Sequence, residues 1–285
     1  MWGGRSPGGG GTRGRAYGEA VAGAAAGGGA VRKGLDYLVE RTVTVAARPK
    51  TIFRFFTDSG RFAAWWGEGS QIDPRPGGAV RIWYPNGVRA GGEVLEVVPG
   101  ERIAFTFGYE SGEPIAVGSS RVTIVLEPVP RGTRLRLRHE LPTATAREVH
   151  VQGWRYQLAV FAEVAAHDAH AGFAERADRF LALWAQTDPA ARRAALAALA
   201  VDSLTFRDRH SCTDGLDDLD AHIAAYQRFM PGLRLERQGE VRQCQGTALV
   251  DWVARGPDGA PRGKGTSVFD LAADGRIERV TGFWS

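Results

Sequence analysis

Two different patterns of apolar and polar positions divide the chain near residue 170. From Asp36 to about Ala165, stretches of alternating apolar and polar residues are separated by turn sequences such as PNG, PGE and PRGT. This pattern predicts consecutive antiparallel strands. It also predicts a helix that begins at Pro49 and a long helix from about Ala144 to Ala165.

The second half has another order of elements. Apolar residues at helical spacing predict a helix over FAERADRFLALWAQ and a second one that begins at Pro189. A strand (SLTFRDRH), a helix (LDDLDAHIAAYQRFM) and four further strands follow. Helices followed by a curled antiparallel sheet indicate an α+β fold. We therefore predict an α+β chain with two domains, 36–168 and 170–285.

The first 35 residues differ in composition from the remainder. They are rich in glycine and alanine, lack the apolar run of a secretory signal, and carry five basic residues against one acidic residue, Glu19. Such a segment buries too little apolar surface to fold, so we expect a disordered tail. The formal net charge of +4 lies largely in this tail, and we expect no nucleic-acid partner. No apolar stretch predicts a membrane span, and the two cysteines, Cys212 and Cys244, favour a cytoplasmic protein.

Periodicity brings aromatic residues and two histidines to the inner surface of the first half. Strand alternation places Phe105 and Phe107 on one face, and puts His139 on the apolar face of a later strand. His150 and Trp154 share one stripe of the long helix. Two interpretations stay open: a packed core with hydrogen-bonded histidines, or a cavity in which His139 or His150 orients a ligand.

An acidic residue on an apolar strand face is the main candidate in the second half. Alternation puts Asp208 and His210 on the same face as Phe206. Burial would raise the pKa of the Asp208 carboxyl and suit it to be a general base. The alternative is that Asp208 binds turn amides at a strand end. His222 and Tyr226 lie four residues apart on a helix, at the edge of the core or against a ligand.

The motifs of the first half resemble a known family. RPKTIFRFFTDSGRFAAWW, IDPRPGG, GGEVLEVVPGERIAFTF, VTIVLEP, GTRLRLRHE and HVQGWRYQL follow one another as in the SRPBCC (START-like) superfamily. They are most similar to its branch named after the activator of the 90-kDa heat-shock protein ATPase. The resemblance implies a helix-grip, a curved antiparallel sheet on a long C-terminal helix with a deep apolar cavity. One of Trp65 and Trp66 would then pack in the core, and the other would line the cavity mouth.

The second half resembles the SnoaL-like branch of the nuclear transport factor 2-like superfamily. LTFRDRHSCTDGLDDLDAHIAAY and the ending DGRIERVTGFW carry this resemblance. It implies a cone-like α+β barrel around a pocket and a homodimer through this domain. Asp208 matches the general base of the ketosteroid isomerases in this superfamily. Their oxyanion-hole tyrosine falls near Phe180 or Trp184, and their second acidic donor falls near Ser267. Both departures argue against isomerase chemistry.

These observations give one functional interpretation and two alternatives. The protein is expected to bind a small hydrophobic ligand, cyclic or aromatic and similar to a polyketide or a steroid, with or without proton-transfer catalysis of the cyclase, isomerase or dehydratase type. No metal or other cofactor is expected. Asp208 would remove the proton, while His210 or His222 would donate a proton or orient the reacting groups. Tyr226, Trp252 and Phe283 would line that pocket. The alternatives are a non-catalytic ligand sensor or carrier, and a co-chaperone-like module.

Overall fold

The computed structural model describes residues 34–285. The predicted disordered tail falls almost entirely on residues 1–33, which lie outside the described residues. Among the helices between residues 34 and 285, none combines the length and apolar character needed to cross a bilayer.

The first half of the described chain is a seven-stranded antiparallel sheet with three helices. The sheet order is β1-β7-β6-β5-β4-β3-β2, so β2 to β7 follow one another across the sheet and β1 pairs with β7. The strands are β1 (Tyr37–Val45), β2 (Gln71–Ile72), β3 (Ala79–Trp83), β4 (Arg89–Val98), β5 (Arg102–Tyr109), β6 (Ser120–Val129) and β7 (Gly132–Leu141). The helices are α1 (Pro49–Phe53), α2 (Ser59–Trp66) and α3 (Ala144–Ala169).

The helical segment that begins at Pro49 is interrupted before it reaches the two tryptophans. A short 3-10 turn follows α1, and Asp58 then starts α2 by accepting a hydrogen bond from the Arg61 amide at 2.8 Å. The consecutive side chains Phe55 and Phe56 of the 3-10 turn are both buried.

The long helix α3 covers the inner face of this sheet. Thr143 caps it by accepting a hydrogen bond from the Ala146 amide at 3.1 Å. Two arginines fasten it to β1: Arg147 Nε donates to the Leu38 carbonyl at 3.0 Å, and Arg41 Nη2 donates to the Val151 carbonyl at 3.2 Å. The core of the first half lies between α3 and the sheet.

The second half places three helices before and between the strands of a six-stranded sheet. The helices are α4 (Phe173–Ala182), α5 (Pro189–Leu199) and α6 (Leu216–Phe229). The strands are β8 (Ala200–Asp208), β9 (Ser211–Asp214), β10 (Arg234–Cys244), β11 (Thr247–Arg255), β12 (Pro261–Leu271) and β13 (Ile277–Trp284). A second buried hydrophobic cluster starts at Phe173 and involves only residues of this half.

The second sheet is mixed, which corrects the prediction of a wholly antiparallel one. Its order is β10-β11-β12-β13-β8-β9, and β13 pairs with β8 in parallel. Tight turns force antiparallel pairing on β10 to β13. No such turn joins β8 to β13, so the chain connection does not require β8 to run antiparallel to β13. The α+β class itself is confirmed.

Candidate functional site

A cavity of ≈ 460 Å³ opens between α3 and the hairpin that joins β3 to β4. Its floor is aromatic, formed by Trp66 at the end of α2 and by Phe107 on β5. Trp154 on α3 closes one side, and Tyr84 at the hairpin closes another. A cavity of several hundred cubic ångströms has the size of a small-ligand site.

The adjacent tryptophans Trp65 and Trp66 are both buried, but in different surroundings. Trp65 donates its indole N–H to the Phe55 carbonyl at 3.3 Å and packs edge-on against Phe161. Trp66 lies against Phe107 and Trp154 and lines the cavity. Helix α2 ends at Trp66, so the two side chains do not have to share one helical face.

Gly67 makes this arrangement feasible. It follows Trp66 with φ of +142°, and a Cβ at this position would collide with the Trp83 carbonyl oxygen. Only glycine adopts such a conformation without strain. Gln157 on α3 then donates its side-chain amide to the Trp65 carbonyl, which ties the end of α2 to the cavity wall.

The polar groups of the cavity form an uncharged chain. His150 Nδ1 lies 2.7 Å from the Ala146 carbonyl, which only accepts, so Nδ1 carries the proton. Nε2 is then free to accept from the Tyr109 hydroxyl at 3.4 Å. Burial lowers the pKa of His150 and raises the pKa of Tyr109 and of Tyr84. All three side chains are therefore neutral at pH 7.

His139 lies behind the cavity wall in a closed hydrogen-bond network. The indole N–H of Trp154 donates to Nδ1 at 2.9 Å. Ser120 Oγ donates its proton to the Phe107 carbonyl at 2.8 Å, so it accepts from Nε2 at 2.7 Å. Burial lowers the pKa of His139 well below its usual value. Both nitrogens are used within the protein, and His139 does not line the cavity.

Two other residues predicted to bind ligand also lie behind the wall. Trp65 is enclosed by Phe56 of the 3-10 turn, Phe62 of α2 and Phe161 of α3. Phe105 is fully buried and lies two residues before Phe107 on β5. Of the residues predicted for this site, the structure brings Trp66, Phe107, His150 and Trp154 to the cavity. Alternation predicts which side chains face inward, but it does not predict which of these line the cavity and which lie behind its wall.

The second half encloses a much smaller cavity of ≈ 40 Å³. Asp208, His210, His222, Tyr226 and Trp252 all line it, as do several apolar side chains of α4 and β8. Trp252 donates its indole N–H to Ser267 Oγ at 3.0 Å. The volume of this cavity is less than a tenth of that of the first cavity.

Three donors surround the Asp208 carboxylate. The His210 amide and the Ser211 hydroxyl donate to Oδ1, each at 2.7 Å, and the Trp284 indole N–H donates to Oδ2 at 3.1 Å. Partial burial raises the pKa of this carboxyl, but these hydrogen bonds outweigh it, so the pKa lies below its usual value. The expected rise in pKa was wrong, because the turn after β8 supplies donors.

His210 and Phe283 occupy positions that differ from those predicted. His210 is in the turn between β8 and β9, where it is exposed to solvent and borders the cavity. Phe283 is 58% exposed and lines a surface groove of ≈ 390 Å³. Trp284, which the sequence reading missed, faces inward instead. Alternation from the buried Val280 would have identified it.

Within residues 34–285 no group of three or more histidine, cysteine, aspartate or glutamate side chains is placed to hold a metal ion. Asp168, beside His167 in the HDAH sequence, pairs instead with Arg61 at 3.2 Å.

Comparison with known proteins gives a family match for part of the chain. Residues 46–166 match the family model described as "Activator of Hsp90 ATPase homolog 1-like protein". No curated protein matches the chain.

Several solved structures are similar to parts of the chain. An AHSA1-like protein from Rhizobium etli is 34% identical, with 46% of this chain and 82% of that chain covered and a TM-score of 0.37. A putative isomerase of the SnoaL-like family from Agrobacterium tumefaciens is 26% identical, with 41% and 98% covered and a TM-score of 0.39. An Aha1 dimer from Colwellia psychrerythraea is 18% identical, with 43% and 90% covered and a TM-score of 0.38.

Proposed function

We propose that this chain, which contains an AHSA1-like domain over residues 46–166, binds a small apolar, ring-containing ligand in its first cavity. The size of that cavity carries the proposal. It measures ≈ 460 Å³, against ≈ 40 Å³ for the cavity of the second half. Six of its thirteen lining residues are phenylalanine, tyrosine or tryptophan, and flat aromatic walls favour ring-shaped ligands.

The proposal divides the chain into a helix-grip domain over residues 36–168 and a SnoaL-like cone over residues 170–285. Two separate buried clusters support this division, since the first ends at Ala166 and the second begins at Phe173. In this scheme the first domain senses or carries the ligand in the cytoplasm. The second domain serves to pair two copies of the chain.

Two matched substitutions test which cavity binds the ligand. Phe107 and Phe206 are buried phenylalanines that each line one of the two cavities. The full chain and the variants Phe107→Leu and Phe206→Leu would be titrated with aromatic polyketides, steroids, fatty acids and flavonoids, with thermal unfolding as the readout. A ligand at about 100 times its Kd adds roughly 2.7 kcal/mol of stability. We expect Phe107→Leu, and not Phe206→Leu, to change the ligand-induced shift.

The opposite outcomes are equally informative. A shift altered only by Phe206→Leu would place the ligand in the second half and contradict the proposal. If no compound shifts the wild-type chain, ligand binding fails as an explanation. A co-chaperone-like role would then predict association with a chaperone without a small ligand.

A second candidate function is proton transfer at Asp208. It is favoured by the position of this carboxylate, which lies between the inner cavity and the surface groove of ≈ 390 Å³. A cyclic ketone in the groove would give its α-proton to Asp208 Oδ2 and become an enolate. His222 and Tyr226 line the inner cavity and not the groove, so they take no part in this step. The low pKa of Asp208 makes it a weak base, so a modest rate is expected.

Deuterium exchange at the α-carbon of 2-tetralone, followed by NMR, tests this second candidate. The wild-type chain should accelerate the exchange, and Asp208→Asn should abolish the acceleration. Asp214→Asn is the control, because Asp214 is an exposed carboxylate paired with Arg207 at 2.8 Å. Equal rates for the wild-type chain and Asp208→Asn would rule out Asp208 as the base.

A further inference from the structure

Helix α3 has a glycine in its interior where the first cavity opens. Gly153 belongs to a 26-residue helix and lines the cavity. A Cβ built on it would meet no atom within 4 Å apart from its chain neighbours and the backbone of its own helix. Its φ lies outside the positive range that favours glycine. Neither crowding nor backbone geometry therefore requires a glycine, although glycine is the least favourable residue after proline inside a helix.

The surroundings of Gly153 show what a side chain there would obstruct. Val149, Gly153 and Tyr156 follow one another at i, i+4 and i+7 along the outer edge of the cavity. Val149 is 50% exposed and Tyr156 is 71% exposed. Gly153 is thus a gap between two exposed apolar side chains. On the other side of the opening lies the hairpin between β3 and β4, with Val88 partly exposed.

The cavity also selects by charge. None of its thirteen lining residues is an aspartate, glutamate, lysine or arginine. Its polar groups are phenols, amides, the indole N–H groups of Trp66 and Trp154, and one imidazole whose protonated nitrogen is held by the Ala146 carbonyl. A charged group placed among them would lose its hydration and gain no counter-charge. Apolar walls with a few neutral polar groups match an uncharged ring system.

We propose that Gly153 is the opening through which the first cavity admits its ligand, and that this ligand is an uncharged aromatic compound. This inference rests on the proposed function of the first cavity and names its ligand class and its size-determining residue. A side chain larger than alanine at this position closes the gap between Val149 and Tyr156. A ligand that carries a carboxylate or an ammonium group is excluded.

The test uses the full chain, three probes and three variants. The probes are fluorene, 9-fluorenone and fluorene-9-carboxylate, which share one ring system and differ in polarity and charge. The variants are Gly153→Ala, Gly153→Leu and Gln152→Leu, the last being an exposed control on the same helix. Affinity and association rate follow from quenching of tryptophan fluorescence, because Trp66 and Trp154 form the cavity wall.

We expect the wild-type chain, Gly153→Ala and Gln152→Leu to bind fluorene and 9-fluorenone with equal affinity and rate. Gly153→Leu should lower the affinity or the association rate by at least about tenfold, which is about 1.4 kcal/mol. Fluorene-9-carboxylate should bind at least about tenfold more weakly than 9-fluorenone. Because leucine and alanine are better helix formers than glycine, both Gly153 variants should keep or raise the Tm. Loss of binding in Gly153→Leu is then not a loss of folding.

The outcomes separate this inference from the proposed function. If Gly153→Leu binds 9-fluorenone like the wild-type chain, the opening is elsewhere, although the cavity still binds ligand. Tight binding of fluorene-9-carboxylate overturns the neutral ligand class alone. If none of the three probes binds to the wild-type chain, both the proposed function and this inference fail.

Discussion

The stability of this protein should fall steeply when the pH is lowered from 7 to 5. Three histidines, His139, His150 and His170, are buried in the folded chain, and burial lowers the pKa of each. In the unfolded chain they protonate with a pKa of about 6.5. Below that pH the unfolded state binds more protons than the folded state, so the free energy of unfolding decreases as the pH falls.

The size of the effect follows from the number of protons. Each histidine that stays neutral in the folded state contributes about 1.4 kcal/mol per pH unit below the unfolded pKa. With three such histidines the limiting slope is about 4 kcal/mol per pH unit. Asp208 and Asp274 have lowered pKa values too, but their contribution is lost only as the pH falls below the usual aspartate value of 3.8. The slope between about pH 6 and pH 5 therefore reports the histidines.

Urea unfolding followed by circular dichroism at several pH values measures this slope. The variant His150→Gln should lose about one third of it, since one of three protons is removed. His167→Gln is the control, because His167 is exposed on α3 and should leave the slope unchanged. A free energy of unfolding that stays constant between pH 7 and pH 5 would refute the argument. It would mean that the buried histidines accept protons in the folded chain.

Three further substitutions probe single contacts. Arg192→Ala should lower the free energy of unfolding in urea by on the order of 3 kcal/mol, because the guanidinium is only 2% exposed and binds Asp220 at 2.6 Å. Arg193→Ala is the control and should lower it by less than about 1 kcal/mol, because the Arg193–Asp217 pair is exposed. Gly67→Ala should lower the Tm far more than Gly87→Ala does. Both glycines have a positive φ, but only a Cβ at Gly67 would collide with backbone atoms. Equal decreases in Tm would contradict this reasoning. Ser211→Ala removes a donor to Asp208 and should raise the pKa of that carboxyl, measured by carbon-13 NMR, while an unchanged pKa would show that the other donors suffice.

Much of the fold follows from periodicity, and the cavity does not. Strand alternation and turn sequences predict the meander of the first sheet, and helical spacing predicts α3. The same aromatic residues, however, would serve a filled core or an open cavity. Gly153 illustrates the difference, because a Cβ built at this position would meet no atom within 4 Å beyond its own chain neighbours and helix backbone. The space beside Gly153 depends on how far α3 lies from the hairpin, which the sequence of α3 alone does not determine.

The two histidines on the inner surface of the first half show how similar sequence positions acquire different roles. His139 meets Trp154 and Ser120, which come from two other elements and use both of its nitrogens. His150 uses one nitrogen on its own helix, at Ala146, and turns the other toward Tyr109 beside the cavity. The packed-core interpretation therefore describes His139, and the cavity interpretation describes His150. Because the partners of His139 use both of its ring nitrogens, His150 is the one of these two histidines that lines the cavity with a nitrogen turned away from its own helix.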